Sequence, residues 1–177
     1  MEKVSGNTII SAIELYNVEL EMLNSEFNAG LLVKEDQPEA LLHDISSQIE
    51  GVEANIAILQ AAQAKINTIT NVSVSYNGAS SIMTLSQAIK AKGGYDRAIA
   101  RWKTAMAKDK DDRSVYATNP EKLKRSVPKK NCALETSKAK MINRAYQGAI
   151  SNGNRVEYHI EEIGINNLRD ALSVLDS

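Results

Sequence analysis

Two stretches of the chain carry a heptad row of large apolar side chains, and no other feature constrains the fold as much. In the first, Ile9, Ile13, Tyr16, Leu20, Leu23 and Phe27 follow one another at alternating intervals of four and three. In the second, Leu42, Ile45, Ile49, Val52, Ile56, Leu59 and Ile66 do the same, with Gln63 the one polar member. A 3.5-residue repeat keeps one face of a helix against another helix. The surface is therefore built for helix-on-helix packing, within the chain or between copies of it. With one Trp, one Phe and six Tyr in 177 residues, a thin aliphatic core between helices fits better than a thick globular one.

The residues between these rows supply starts and stops. Asn7 or Thr8 can cap a first helix over residues 7–28, and Ala29-Gly30 ends it, because glycine tolerates the left-handed conformation common at helix C-termini. Pro38 suits the first turn of a second helix, where its missing N–H costs nothing, and Glu39 favours that end electrostatically. The second helix runs to about Thr68. Gly51 inside it points to close approach of a neighbour. The period then changes: Val72, Val74 and Tyr76 alternate with Ser73 and Ser75 as a strand. Asn77-Gly78 is a hairpin signal, and Ile82 lies on the return strand. Thr84-Leu85-Ser86-Gln87 has the capping-box pattern and opens a third helix. Its row is Leu85, Ala88, Tyr95, Ile99, Trp102 and Met106, broken near the middle by Gly93-Gly94. Residues 108–131 read as a long basic connection. A fourth helix covers residues 133–151. Val156, Tyr158 and Ile160 alternate as a strand, with a bulge at Glu161-Glu162. Asn166 or Asn167 caps a short last helix.

The net charge of −1 hides a segregation. Residues 1–83 hold three cations against eleven acids, a balance of −8. Residues 84–155 hold seventeen cations against six acids, or +11, and residues 156–177 return to −4. Blocks of opposite sign attract one another or attract outside partners. The plain reading is that the acidic hairpin docks on the basic segment, in the same or a neighbouring subunit. The sharper one is that part of the basic segment binds an anion.

The basic segment offers the best candidate site. Arg97 and Arg101 are four apart and share a helix face, with Lys90 seven before Arg97 on the same side. Lys122, Lys124, Arg125, Lys129 and Lys130 come from the connection, and Lys138 and Arg144 from the next helix. Together they can line an anion pocket, with Tyr95, Trp102 or Tyr116 to stack on a base. A nucleic acid is not the expected partner, since the overall charge is not basic and no nucleic-acid-binding motif occurs. Catalytic patterns are missing. Cys132 follows two lysines near a helix start, which favours a thiolate, yet no residue identifies itself as its base. His43 and His159 belong to different elements and match no metal pattern, and no cofactor fingerprint occurs. Glu161 and Glu162 point to opposite sides of a regular strand. No window approaches the ~18 apolar residues of a membrane span. Residues 1–6 lack a signal-peptide pattern, and a lone cysteine fits a reducing, cytoplasmic setting.

The order Asn28, Val33-Lys34-Glu35, Pro38-Glu39-Ala40-Leu41-Leu42, then the helix ending Lys65-Ile66-Asn67-Thr68, then Thr84-Leu85 and Ala88-Ile89 resembles a family of small bacterial helical-hairpin proteins described as septicolysin-like. The resemblance spans residues 9–105. The tail lacks the long closing helix of that family. It implies a helical hairpin and carries over no catalytic residue.

These readings converge on a mainly α protein. A long antiparallel coiled-coil helical hairpin is joined by additional helices and a small β hairpin and strand element. A single domain is expected over residues 1–177, with the hairpin at 7–68 and a mixed segment at 69–177. The expected function is that of a non-catalytic homo-oligomeric scaffold acting through protein–protein contacts. Its seam between copies would be Ile13, Leu20, Leu23, Ile45, Ile49, Val52, Ile56 and Leu59. The alternative is a sequestering protein that holds a phosphate-bearing, nucleotide-like molecule in basic pockets between subunits. A small chain of that kind would suit a viral or bacterial factor that interferes with a defence system.

Overall fold

The computed structural model describes residues 2–31, 40–107 and 128–176. The protein is mainly α, with two small antiparallel two-stranded sheets among the described residues. The chain forms two compact units. The first is Met1–Thr70 with Gly153–Ser177, and the second is Asn71–Asn152.

The first unit is organised by α1 (Gly6–Gly30) and α2 (Ala40–Ile69). Helix α1 starts at Ser5, earlier than the expected Asn7 or Thr8. Thr8 N–H donates to Ser5 Oγ (3.2 Å) while Ser5 N–H donates to Thr8 Oγ1 (3.4 Å). This reciprocal box satisfies two donors that a helix end leaves open. Gly6 follows because a Cβ there would lie 2.8 Å from Asn154 Oδ1 and 3.2 Å from its Cα. The two helices run antiparallel: Tyr16 meets Asn55, and Gly30, further along α1, meets Leu42, earlier in α2. Gly30 does not end the helix by turning left-handed. Leu31 beyond it is right-handed (φ −65°, ψ −20°), and a Cβ on Gly30 would come within 2.9 Å of Leu42 Cδ2. The close approach expected at Gly51 is not there, since nothing lies within 4 Å of a Cβ built on it. Pro38 and Glu39 lie outside the described residues.

The heptad rows form the core between these helices. Ile9, Ala12, Tyr16 and Leu23 from α1 are buried with Ile45, Val52, Leu59, Ala62 and Ile66 from α2, and Ile13, Leu20, Phe27, Ile49 and Ile56 pack against them half-buried. All eight seam residues expected between copies are thus used inside one chain. A heptad row specifies a helical neighbour, and here α2 supplies it.

The chain's last segment closes this unit. β1 (Lys3–Ser5) pairs antiparallel with β4 (Glu157–His159), Val4 opposite Tyr158. β1 is too short to show a period in the sequence. The expected strand over Ile160 and the bulge after it are instead a helical turn, α5 (Ile160–Ile163), held by His159 N–H donating to Glu162 Oε2 at 3.1 Å and ended by Gly164 at φ 67°. α6 (Leu168–Ala171) follows from Asn167 at φ 60°, then a 3₁₀ turn, Ser173–Asp176. Ile160, Ile163, Leu168, Ala171 and Leu172 enter the hairpin core. This is why residues 153–177 belong with the hairpin rather than with the mixed segment. Thr70 is buried but satisfied: its hydroxyl donates to Ile66 C=O (2.7 Å) and meets Tyr158 OH (2.9 Å).

The second unit begins with β2 (Asn71–Tyr76) and β3 (Ala79–Thr84), Val74 opposite Ser81 and Tyr76 opposite Ala79. Asn77 (φ 49°) and Gly78 (φ 78°) are both left-handed, as a tight hairpin turn that follows the strand twist requires. α3 (Leu85–Ala107) opens as the sequence indicates: Gln87 N–H donates to Thr84 Oγ1 (3.2 Å) and Thr84 N–H to Gln87 Oε1 (2.9 Å). It runs through Gly93-Gly94 without a break. α4 (Lys129–Gly153) starts before the expected residue 133, where Pro128 C=O accepts from Asn131 and Cys132 N–H groups. Val72, Val74, Leu85, Ala88, Ala149 and Ile150 make the core. The remainder of the basic connection, residues 108–127, lies outside the described residues. Among the described residues no helix is long and apolar enough to cross a membrane.

Candidate functional site

The second unit holds a cleft of about 230 Å³, lined by Val74, Tyr76, Ala79, Ser80, Ser81, Tyr95, Ile142 and Tyr146. The hairpin supplies its floor because Val74, Tyr76, Ala79 and Ser81 point to one side of the two strands. Tyr95 of α3 and Tyr146 of α4 form a wall. Their ring centroids are 5.6 Å apart with the planes tilted by 31°, a separation at which aromatic pairs attract. All three tyrosines are half-buried. Among the described residues none of their hydroxyls has a hydrogen-bond partner inside the protein.

A polar clamp beside this wall ties α3 to α4. Lys92 Nζ donates to Asp96 Oδ2 (2.9 Å), while Asn143 Nδ2 donates to Asp96 Oδ1 (2.9 Å) and to Lys92 C=O (3.4 Å). The hydrogen bond from Lys92, joined by that from Asn143, holds the Asp96 carboxyl below the usual carboxylate range. One turn of helix separates Asn143 from Tyr146, so the clamp also fixes the register of the tyrosine wall.

Among the described residues singled out as candidate site residues, only Tyr95 lines the cleft. Trp102 is half-buried further along α3. Arg97, Arg101, Lys129, Lys130 and Arg144 are exposed on α3 and α4. Lys122, Lys124, Arg125 and Tyr116 lie outside the described residues. Among the described residues the cleft wall is neutral and aromatic. Sequence spacing shows which charges share a helix face, but a charged head stays in water unless something pulls it inward. Tyr76 and Tyr146 were missed as site residues. Their signal was present: each is the aromatic member of an apolar row, one on a strand and one on a helix.

The other candidates take definite places. Cys132 is buried, so its thiol is not presented to solvent. His43 is exposed beside a second cleft with Phe27, Leu42 and Ser46. Among the described residues no three His, Cys, Asp or Glu side chains stand close enough to hold a metal ion. No family model matches the chain, and neither does any curated protein or solved structure.

Proposed function

We propose that the protein is a non-catalytic, oligomeric binding protein that acts through protein–protein contacts made by its helix faces. One observation carries this reading. After the heptad rows have been buried within the chain, large apolar side chains remain exposed at helical spacing on α1 and α4: Leu15, Val18 and Met22, and Leu134 and Met141. Scattered exposed apolar residues need no explanation, but a second row on a helix that already has a buried one does. The buried state of Cys132, the candidate nucleophile the sequence offered, supports a binding role over a catalytic one, and a lone cysteine, which can form no intrachain disulfide, supports a reducing, cytoplasmic setting. Native mass spectrometry of freshly purified protein tests the reading. A multimer at micromolar concentration supports it, and a monomer at every concentration removes it.

A second reading is favoured by the tyrosine cleft. A flat ring entering it would meet the Tyr95–Tyr146 wall, Tyr76 on the floor and three hydroxyls without a partner among the described residues. The protein would then sequester a nucleotide-like molecule. The same spectra report any co-purifying mass. Tyr95→Ala should abolish the rise in melting temperature caused by adenosine monophosphate, with inorganic phosphate as the control. An unchanged rise rejects this reading.

A further inference from the structure

Helix α1 has a second face. Leu15, Val18 and Met22 are spaced three and four apart and are 46%, 57% and 59% exposed. They lie on a different side of the helix from Ile13, Tyr16, Leu20 and Leu23, which face the core. Two exposed turns of apolar side chain beside a finished core leave a narrow row of the kind that seats one further helix.

The charges on α1 say what kind of helix. Glu14, Glu19, Glu21 and Glu26 flank the row, and α1 has no cation. Among the described residues none of the four is ion-paired. Two copies of α1 laid face to face would bring eight carboxylates together, and like charges across a helix pair are destabilising. The occupant has to be basic.

Helix α4 fits that description. Its exposed apolar residues are Leu134 and Met141, at 54% and 53% exposure. They are seven apart, as are Leu15 and Met22, so both rows have the same length of roughly 10 Å at 1.5 Å per residue. Lys138 and Arg144 stand three residues to either side of Met141, with Lys130 four before Leu134. Helix α4 carries five cations and one acid, a balance of +4, against −4 for α1. Arg144 has no carboxylate partner among the described residues. Lys138 reaches only Glu135, three residues earlier, in an exposed pair, and such pairs hold weakly.

We infer that the outer row of α1 in one copy receives the Leu134–Met141 row of α4 from a second copy. This rests on the oligomeric reading above and gives it a surface: the acidic hairpin of one chain meets the basic helix of another. A two-fold dimer would use the contact twice, and a ring would use it once per neighbouring pair.

Charge exchange tests it. Glu14→Lys with Glu21→Lys reverses one side, and Lys138→Glu with Arg144→Glu reverses the other. All four positions are exposed, and unchanged circular dichroism and melting temperature certify the fold. Native mass spectrometry and sedimentation at matched concentration read the assembly. Each pair alone should weaken association at least tenfold, and the four together should restore it. A wild-type monomer at every concentration overturns the inference together with the oligomeric reading. A wild-type multimer that either pair leaves intact, or that the four changes fail to restore, overturns the inference alone.

Discussion

The two units apply the same packing rule to different degrees. In the hairpin unit the helix rows are almost wholly aliphatic and reach full burial, with Ile9, Leu59 and Ile66 closed to solvent. In the mixed unit only the first turn of the α3 row is buried, at Leu85 and Ala88. From Lys92 to Trp102 the row is half-buried, Met106 beyond it is exposed, and this part relies on a hydrogen-bonded clamp and a tyrosine pair. The difference shows how a row's composition sets its use. A continuous aliphatic row is consumed by its neighbour, whereas one interrupted by Lys92, Gly93 and Gly94 leaves space and polar groups, and there the cleft lies.

The sharpest break of this comparison is Leu59→Ala. Removing a fully buried leucine from the hairpin should cost about 2–5 kcal/mol, and the half-buried Ile99→Ala on α3 clearly less. Chemical denaturation of the two variants measures the gap, and equal losses would contradict the contrast. Next comes Thr70→Val. It removes the hydroxyl that links Ile66 C=O and Tyr158 OH, with an expected loss of about 1–3 kcal/mol from the polar groups left behind. Calorimetry reads this loss. In the mixed unit, Asn143→Ala should cost about 1 kcal/mol, and a change in tyrosine fluorescence should accompany it as the α3–α4 register loosens.

The smallest effect is a pH dependence. Burial, with Glu19 nearby, pushes the Tyr16 hydroxyl above its ordinary value of 10.0, partly opposed by the hydrogen bond from Asn55. Below that value folded and unfolded chains both keep the proton. As pH rises past it, the unfolded chain releases a proton that the folded chain retains, so stability falls. The melting temperature should drop more between about pH 9 and about pH 11 in the wild type than in Tyr16→Phe, which lacks the titrating group.

Legibility in the sequence followed the length of the pattern. The two long helices, the Asn77-Gly78 turn and the Thr84 box could be read because each is a local device with a fixed spacing. The pairing of β1 with β4 could not: the alternation around Tyr158 marked one strand, but the three residues of β1, far away in sequence, have no period to display. The glycines misled: Gly30 faces Leu42, Gly51 faces open space, and Gly93-Gly94 leave α3 intact. A glycine marks tolerance of several geometries, and only its neighbours decide among them. Among the described residues the cations were legible as helix faces, and they do not line the cleft. The cleft depends on which side of the β2–β3 hairpin meets α3 and α4, a tertiary fact that spacing alone does not hold.

The pairing of residues 3–5 with 157–159 makes the second unit an insertion within the first. Synthesis runs from the N-terminus, so on the ribosome residues 71–152 emerge while the hairpin still lacks Ile160, Ile163, Leu168 and Leu172. Until they arrive, the apolar surface those four will cover stays open to water and to other nascent chains. The hairpin unit is therefore most open to aggregation in the interval before residues 157–172 have been made and the contact with residues 3–5 closes.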